Sequence, residues 1–207
     1  MAAAELVQDG MRVGLGTGTT VAHLLPAIAA RGLSGLRCVA TSPGTEALAR
    51  ELGLPLETLD EAGELDIAID GADQIARDGW IIKGGGGAQT REKIVAEAAR
   101  RFVVIVSSDK PVDRLHPPIP LEVLRFGAQR SLELLAPARP REGSVTPDGG
   151  LLADYLGAVE DPAALAARFD RVPGMVGHGL FAPEMVSLVL MAGEDGGVRR
   201  VVGAKGT

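Results

Sequence analysis

Two rhythms of hydrophobic and polar positions alternate through the first two thirds of the chain. Short β-rich runs, "RVGLG" (12–16), "LRCVATS" (36–42), "LDIAIDG" (65–71) and "RFVVIVSS" (101–108), read as strands. Between them, apolar residues recur every three to four positions in "TTVAHLLPAIAARG" (19–32), "GTEALARELG" (44–53) and "TREKIVAEAARR" (90–101). These segments predict helices, the first two closed by Gly32 and Gly53. The runs at 65–71 and 101–108 are almost continuously apolar, the mark of strands buried on both faces of a parallel sheet. Strand and helix in alternation give the class as α/β.

The rhythm breaks at "HPPIP" (116–120), a candidate domain boundary. Beyond it the pattern predicts strand "LEVLRF", helix "AQRSLELLA", a hairpin around "TPDGG", helix "DPAALAARFD" and a strand after "VPGMVGHG". That order describes a small α+β module. "MVSLVLMAG" and "VRRVVG" are expected to return to the first sheet, so residues 1–120 and 189–207 would form the main domain and 121–188 the small one.

Composition narrows the partners. A net charge of -6, no block of like charge, and only one Trp and one Tyr in 207 residues argue against a nucleic-acid surface. No apolar stretch approaches the roughly 18 residues of a membrane span. The opening "MAAAELVQDG" has neither the charged start nor the apolar centre of a signal peptide, and a cytoplasmic location is expected. Cys38, the single cysteine, sits in the apolar run "LRCVA" and fits a buried thiol in a reducing compartment. Of 21 basic residues only Lys83, Lys93, Lys110 and Lys205 are lysines, and three of them lie in or beside the segments singled out below. A lysine kept against that background points to a site that needs a compact point charge.

Four segments leave strand ends, where an α/β sheet binds ligands. The first, "GLGTGTT", fails as a dinucleotide fingerprint: counting from Gly14 puts Thr19 in the third glycine position, and counting from Gly16 puts Val21 there. What remains is a glycine loop with Thr17, Thr19 and Thr20 entering a helix N-terminus, which suits a phosphate monoester. The second, "DGAD", sets Asp70 and Asp73 on one loop, so that one is expected to hold its proton and act as a donor. Paired carboxylates also suit magnesium, but no further acid-rich or His-rich cluster completes a cage, and no metal is expected. The third is "KGGGGAQTREK" (83–93). Its four glycines oppose folding unless a ligand must lie against the backbone there, with Lys83 reaching its oxygens. Thr90 is placed to cap the following helix and Glu92 in its first turn, where the dipole keeps a carboxylate ionised and able to take a proton. The fourth is "SSDK" (107–110). His23, His116 and His178 have no triad or metal-ligand spacing around them and read as structural or solvated.

In this order and spacing, "GLGTGTT", "AIDGADQI", "KGGGGAQTREKIVA" and "VPGMVGHGLF" resemble ribose-5-phosphate isomerase of type A over nearly the whole chain. The resemblance implies a Rossmann-like domain with a small inserted α+β domain of ferredoxin-like form, assembled as a homodimer or homotetramer. It implies interconversion of ribose 5-phosphate and ribulose 5-phosphate through an enediolate, in the pentose phosphate pathway, with no cofactor and no metal. Glu92 would move the proton between C2 and C1, with Asp70, Asp73 and Lys83 as its catalytic partners. Thr17, Gly18, Thr19 and Thr20 would hold the phosphate end, while Gly71, Ala72, Gly84, Gly85, Gly86 and Lys110 would contact the sugar. Gln74 stands where the family commonly has glutamate, Thr19 where serine is frequent, and Gln89 where an apolar residue is usual. A leading helix with a lysine near the phosphate, common in the family, is not seen ahead of "VQDG", and weaker phosphate binding is expected.

The residues support the same chemistry by themselves: abstracting a proton alpha to a carbonyl needs a positioned base, and the enediolate oxygens need donors. Two other readings remain from sequence: a non-catalytic sugar-phosphate sensor of the same fold group, and a nucleotide-binding dehydrogenase. No helix-turn-helix accompanies the chain, which weighs against the sensor, and the misplaced third glycine weighs against the dehydrogenase.

Overall fold

The computed structural model describes residues 2–193 and 197–203. In chain order the elements are β1 (Arg12–Leu15), α1 (Thr19–Ala29), β2 (Arg37–Ala40), α2 (Pro43–Glu51), the short α3 (Leu59–Ala62) and β3 (Ile67–Gly71). Two small strands, β4 (Gln74–Ala76) and β5 (Ile81–Ile82), precede α4 (Gln89–Glu97), β6 (Phe102–Ser107), β7 (Pro111–Val112) and β8 (Ile119–Val123). Next come α5 (Ala128–Leu134), β9 (Ala138–Val145), β10 (Leu151–Tyr155), α6 (Pro162–Asp170), β11 (Met175–His178) and β12 (Leu180–Phe181). Strands β13 (Leu188–Ala192) and β14 (Val198–Val202) complete the series. The chain divides into two compact units, one of residues 1–72, 91–110 and 183 onward, the other of residues 73–90 and 111–182. Among the described residues no helix is long and apolar enough to cross a membrane.

The first unit is built on a six-stranded sheet in the order β14-β13-β6-β3-β1-β2. Its strands are parallel except for β14, which pairs antiparallel with β13. Helix α1 turns Val21, Leu24, Leu25 and Ile28 inward, onto a core shared with Val13, Leu15, Ile67 and Ile69. Gly14 is glycine because α4 lies close over β1: a Cβ there would come within 2.5 Å of Val95 Cγ1. The chain runs from β1 outward to β2 and then returns to place β3 on the other side of β1. That reversal is the topological switch point where open α/β sheets bind their ligands.

The second unit contains the expected small module. Strand β8, α5, β9, β10, α6 and β11 follow one another as βαββαβ, with sheet order β11-β8-β10-β9, the ferredoxin-like arrangement. Leu121, Val123, Ala153, Leu165 and Phe169 form its core, where Tyr155 meets Phe169 edge to face at 5.1 Å between ring centroids. The hairpin expected around "TPDGG" joins β9 to β10. A second sheet, β12-β5-β4-β7, is made of strands two or three residues long.

Several helix ends differ from the sequence expectation. Helix α1 stops at Ala29 and Gly32 lies beyond it, at φ 60°. Helix α4 begins at Gln89 and ends at Glu97, because Leu65 N–H and Arg100 N–H pair across to Ala98 and Leu65 carbonyls and pull the chain into a bridge beside Ala99.

Candidate active site

In the first unit, the loop after β1 is fixed from two sides. Register pairs Leu15 with Ile69, so Gly16 falls beside Asp70 at the end of β3. Asp70, 3% exposed, accepts hydrogen bonds on Oδ1 from the N–H of Thr17 (3.0 Å) and of Gly71 (2.7 Å). A Cβ on Gly16 would overlap the Asp70 carboxyl group, so the glycine is dictated by the acid. From the β2 side, Thr17 and Thr41 join their hydroxyls at 2.8 Å, and Thr45 donates its hydroxyl to the Gly16 carbonyl at 2.7 Å. Helix α1 starts from Gly18 at φ 104°, a conformation that favours glycine, with no acid in the first turn and no side-chain cap. Its N-terminal N–H groups and dipole are therefore presented without a built-in anion. A cavity of about 130 Å³ lies alongside, bordered by Thr17, Gly18, Ser42, Gly44 and Thr45.

Two more groups of the first unit belong to the candidate set. Glu92 is 4% exposed in the first turn of α4. Lys110, just past the end of β6, is half-exposed and pairs with Asp109 at 3.1 Å. Asp109 is held below the usual carboxylate range by the Ser107 hydroxyl and the Lys110 ammonium.

In the second unit the glycine run follows β5. Asp73, exposed, accepts on Oδ2 from the N–H of Gly85 at 2.8 Å. A Cβ at Gly85 would sit 2.8 Å from Asp73 Oδ1. Gly84 and Gly87 have φ of 96° and 80°, so the turn needs glycine for backbone reasons at both. The Gly85 carbonyl accepts from Arg141 (2.9 Å), whose guanidinium also holds Asp154 through two bonds of 2.7 and 2.6 Å. Lys83 is 2% exposed: its N–H donates to the Gly179 carbonyl at 2.9 Å and its Nζ stands 5.5 Å over the Phe181 ring.

Comparison with known proteins bears directly on this arrangement. A sequence profile described as "Ribose 5-phosphate isomerase A (phosphoriboisomerase A)" matches residues 37–196. The chain is similar to ribose-5-phosphate isomerase A of Caulobacter vibrioides (strain NA1000 / CB15N), 48% identical over 96% of this chain and 93% of that one. It belongs to the ribose 5-phosphate isomerase A family. Among solved structures it resembles ribose 5-phosphate isomerase A from Methanocaldococcus jannaschii, with TM-score 0.90 and 34% identity over 97% of this chain and 95% of that one. It also resembles a D-ribose-5-phosphate isomerase in complex with phospho-erythronic acid, with TM-score 0.91, 31% identity, and coverage of 97% and 94%.

Within this member of the isomerase A family, the structure joins Thr17 to Asp70 in one unit and Asp73 to Gly85 in the other. The two acids of "DGAD" thus have different surroundings, with Asp70 buried under two N–H donors and Asp73 exposed. Thr90 departs from its expected place. It lies inside α4, and its hydroxyl donates to Glu122 at 2.5 Å instead of capping the helix. Gln74 is committed to His116, donating to its carbonyl and accepting from its N–H at 2.9 Å each. The three histidines stay outside the candidate set. His178 is buried against Asp170 (3.3 Å), His116 serves Gln74, and His23 lines an apolar pocket with Leu24 and Ile105. Sequence reasoning missed Thr41, Thr45, Arg141 and Glu122. For the first two the end of β2 was the available signal, since the loops leaving parallel strands converge. Arg141 and Glu122 carried no motif.

Proposed function

We propose that the chain interconverts D-ribose 5-phosphate and D-ribulose 5-phosphate as a metal-independent aldose–ketose isomerase. The observation that carries this reading is Glu92, a carboxylate 4% exposed in the first turn of α4 within the family motif "KGGGGAQTREK". Glu92 takes the proton from C2 of the open-chain aldose. The electrons of that C–H bond form the C1=C2 bond of an enediolate, with negative charge on the C1 oxygen. Returning the proton to C1 gives the ketose, so one carboxylate serves both half-reactions and no redox group is consumed. Its burial raises the worth of each electrostatic contact, and its place in the first turn sets it beside the positive end of the α4 dipole.

Lys83 neutralises the developing oxygen charge. Its ammonium is buried against an aromatic face, where a point charge acts more strongly than in water. Gly84 and Gly86 bring the backbone close to the sugar, and Gly85 holds Asp73 beside it through its N–H. Asp73, exposed and held at Gly85, assists ring opening and moves the proton between the two oxygens. Asp70 holds Thr17 and Gly71 in place, with Gly71 and Ala72 beside the sugar and Lys110 as a further contact. Thr17, Gly18, Thr19 and Thr20 receive the phosphate at the uncapped start of α1. The solved relative in complex with phospho-erythronic acid supports this reading, since a phosphorylated aldonate carries both a phosphate and a carboxylate in place of the enediolate. The enzyme works in the cytoplasm as a homodimer or homotetramer.

The test is ketose formation from ribose 5-phosphate. Wild type should convert it and should convert unphosphorylated ribose poorly. Equal rates on the two sugars would remove the phosphate loop from the account, and binding without turnover would make the chain a sensor.

A further inference from the structure

Glu122, on β8, is an acid only 2% exposed, and none of the proposed steps uses it. Both of its carboxylate oxygens are taken by hydroxyl donors. Thr90 donates to Oε2 at 2.5 Å, and Thr146 donates to Oε1 at 2.6 Å. Thr146 in turn accepts the N–H of Gly150 at 2.9 Å, so the donors on both sides converge on the Glu122 carboxylate. Two glycines make room for the network. A Cβ on Gly177 would overlap Thr90 Oγ1, and a Cβ on Gly150 would overlap Glu122 Oε1.

Burying a carboxylate costs desolvation that an apolar side chain of the same size would avoid, so stability is a poor reason for its presence. What a carboxylate adds is direction: it fixes one hydroxyl at one place. That hydroxyl belongs to the second residue of α4, and Glu92 follows two residues later on the same helix.

We propose that Glu122 is a positioning residue for isomerisation. By accepting the Thr90 hydroxyl it sets where α4 begins and which way its first turn faces, and so holds the Glu92 carboxylate at its working place. The inference rests on the role proposed for Glu92. A displacement of about 1 Å in a reacting group costs on the order of 100-fold in rate, which is the scale of effect at stake.

The experiment compares wild type with Thr90→Val, which keeps the shape and removes the hydroxyl, Glu122→Met, which removes the acceptor, and Thr90→Ser, which keeps the hydroxyl. Steady-state kinetics with ribose 5-phosphate and thermal unfolding are measured for each, with Glu92→Gln alongside. Thr90→Val and Glu122→Met should each lower kcat by about 10- to 100-fold with little change in KM. The pair combined should be no slower than the worse single variant, because both break one bond. Thr90→Ser should restore turnover. If Glu122→Met does not fold, Thr90→Val alone carries the comparison. A folded Thr90→Val with full kcat, whatever its Tm, overturns the proposal while leaving the functional reading intact if Glu92→Gln is inactive. A wild type without isomerase activity would instead overturn the reading beneath it.

Discussion

Replacing Gly16 by alanine isolates the link between Asp70 and the loop after β1. Gly16 has no positive φ, so alanine meets no backbone penalty there. The added methyl would occupy the place of the Asp70 carboxyl group, which must move or push the loop away. Either movement strains the hydrogen bonds from Thr17 N–H (3.0 Å) and Gly71 N–H (2.7 Å) to Asp70 Oδ1. Overpacking of this kind costs about 1–3 kcal/mol. For a chain of this size each kcal/mol lowers Tm by about 2–4 °C, so a fall of roughly 2–12 °C is expected. Because Thr17 leads into the proposed phosphate loop, KM for ribose 5-phosphate should rise as well. Gly44→Ala serves as control for stability: its Cβ would meet only Ser42 Oγ, at 4.0 Å, inside α2, where alanine favours the helix. Scanning calorimetry and initial-rate kinetics on the two variants give the comparison. A Gly16→Ala protein with the Tm and KM of wild type would refute the steric argument and the bracing role of Asp70 together.

Other outcomes follow from the same geometry. Arg141→Met removes the two bonds to Asp154 and the one to the Gly85 carbonyl, leaving a partly buried carboxylate without its guanidinium; a loss of about 1–3 kcal/mol in stability and a slower kcat should appear in denaturant titration and rate assays. Cys38 is buried and its thiol is pushed up to about 11, chiefly by burial and then by the Glu57 charge. It should resist alkylation at pH 8 until the protein unfolds, as mass spectrometry of iodoacetamide-treated samples would show. Because the folded state holds that proton more tightly, its contribution to stability is complete below the ordinary thiol value of 9.0 and is lost as pH rises toward about 11, visible in urea midpoints across that range.

Much of the fold was legible because its signals were long. The near-continuous apolar runs of β3 and β6 and the amphipathic α1 and α2 span enough residues for periodicity to show. A small α+β module was readable from its order of elements and the hairpin signal at 146–150, while its ferredoxin-like form was implied only by the family resemblance. Sheet β12-β5-β4-β7 was not, since strands such as Ile81–Ile82 are too short to carry a period and are set by tertiary pairing. The candidate residues were visible where glycine or an acid broke the local rule without an evident structural need, as at 83–87. Arg141 and Glu122 look like ordinary strand charges in sequence. Only in the fold does one clamp the glycine turn and the other lie buried with both oxygens engaged. Thr90 was misplaced as a cap because the Thr and the acid two residues later satisfy the local cap pattern, while a long-range acceptor claims the hydroxyl.

The most direct test of the central claim is the turnover of ribose 5-phosphate by Glu92→Gln. The variant should lose about 10²- to 10⁴-fold in kcat while binding ribose 5-phosphate about as tightly as wild type, and it should cease to exchange the C2 hydrogen with deuterated solvent. Turnover near the wild-type rate would contradict the assignment of Glu92 as the proton-transferring base.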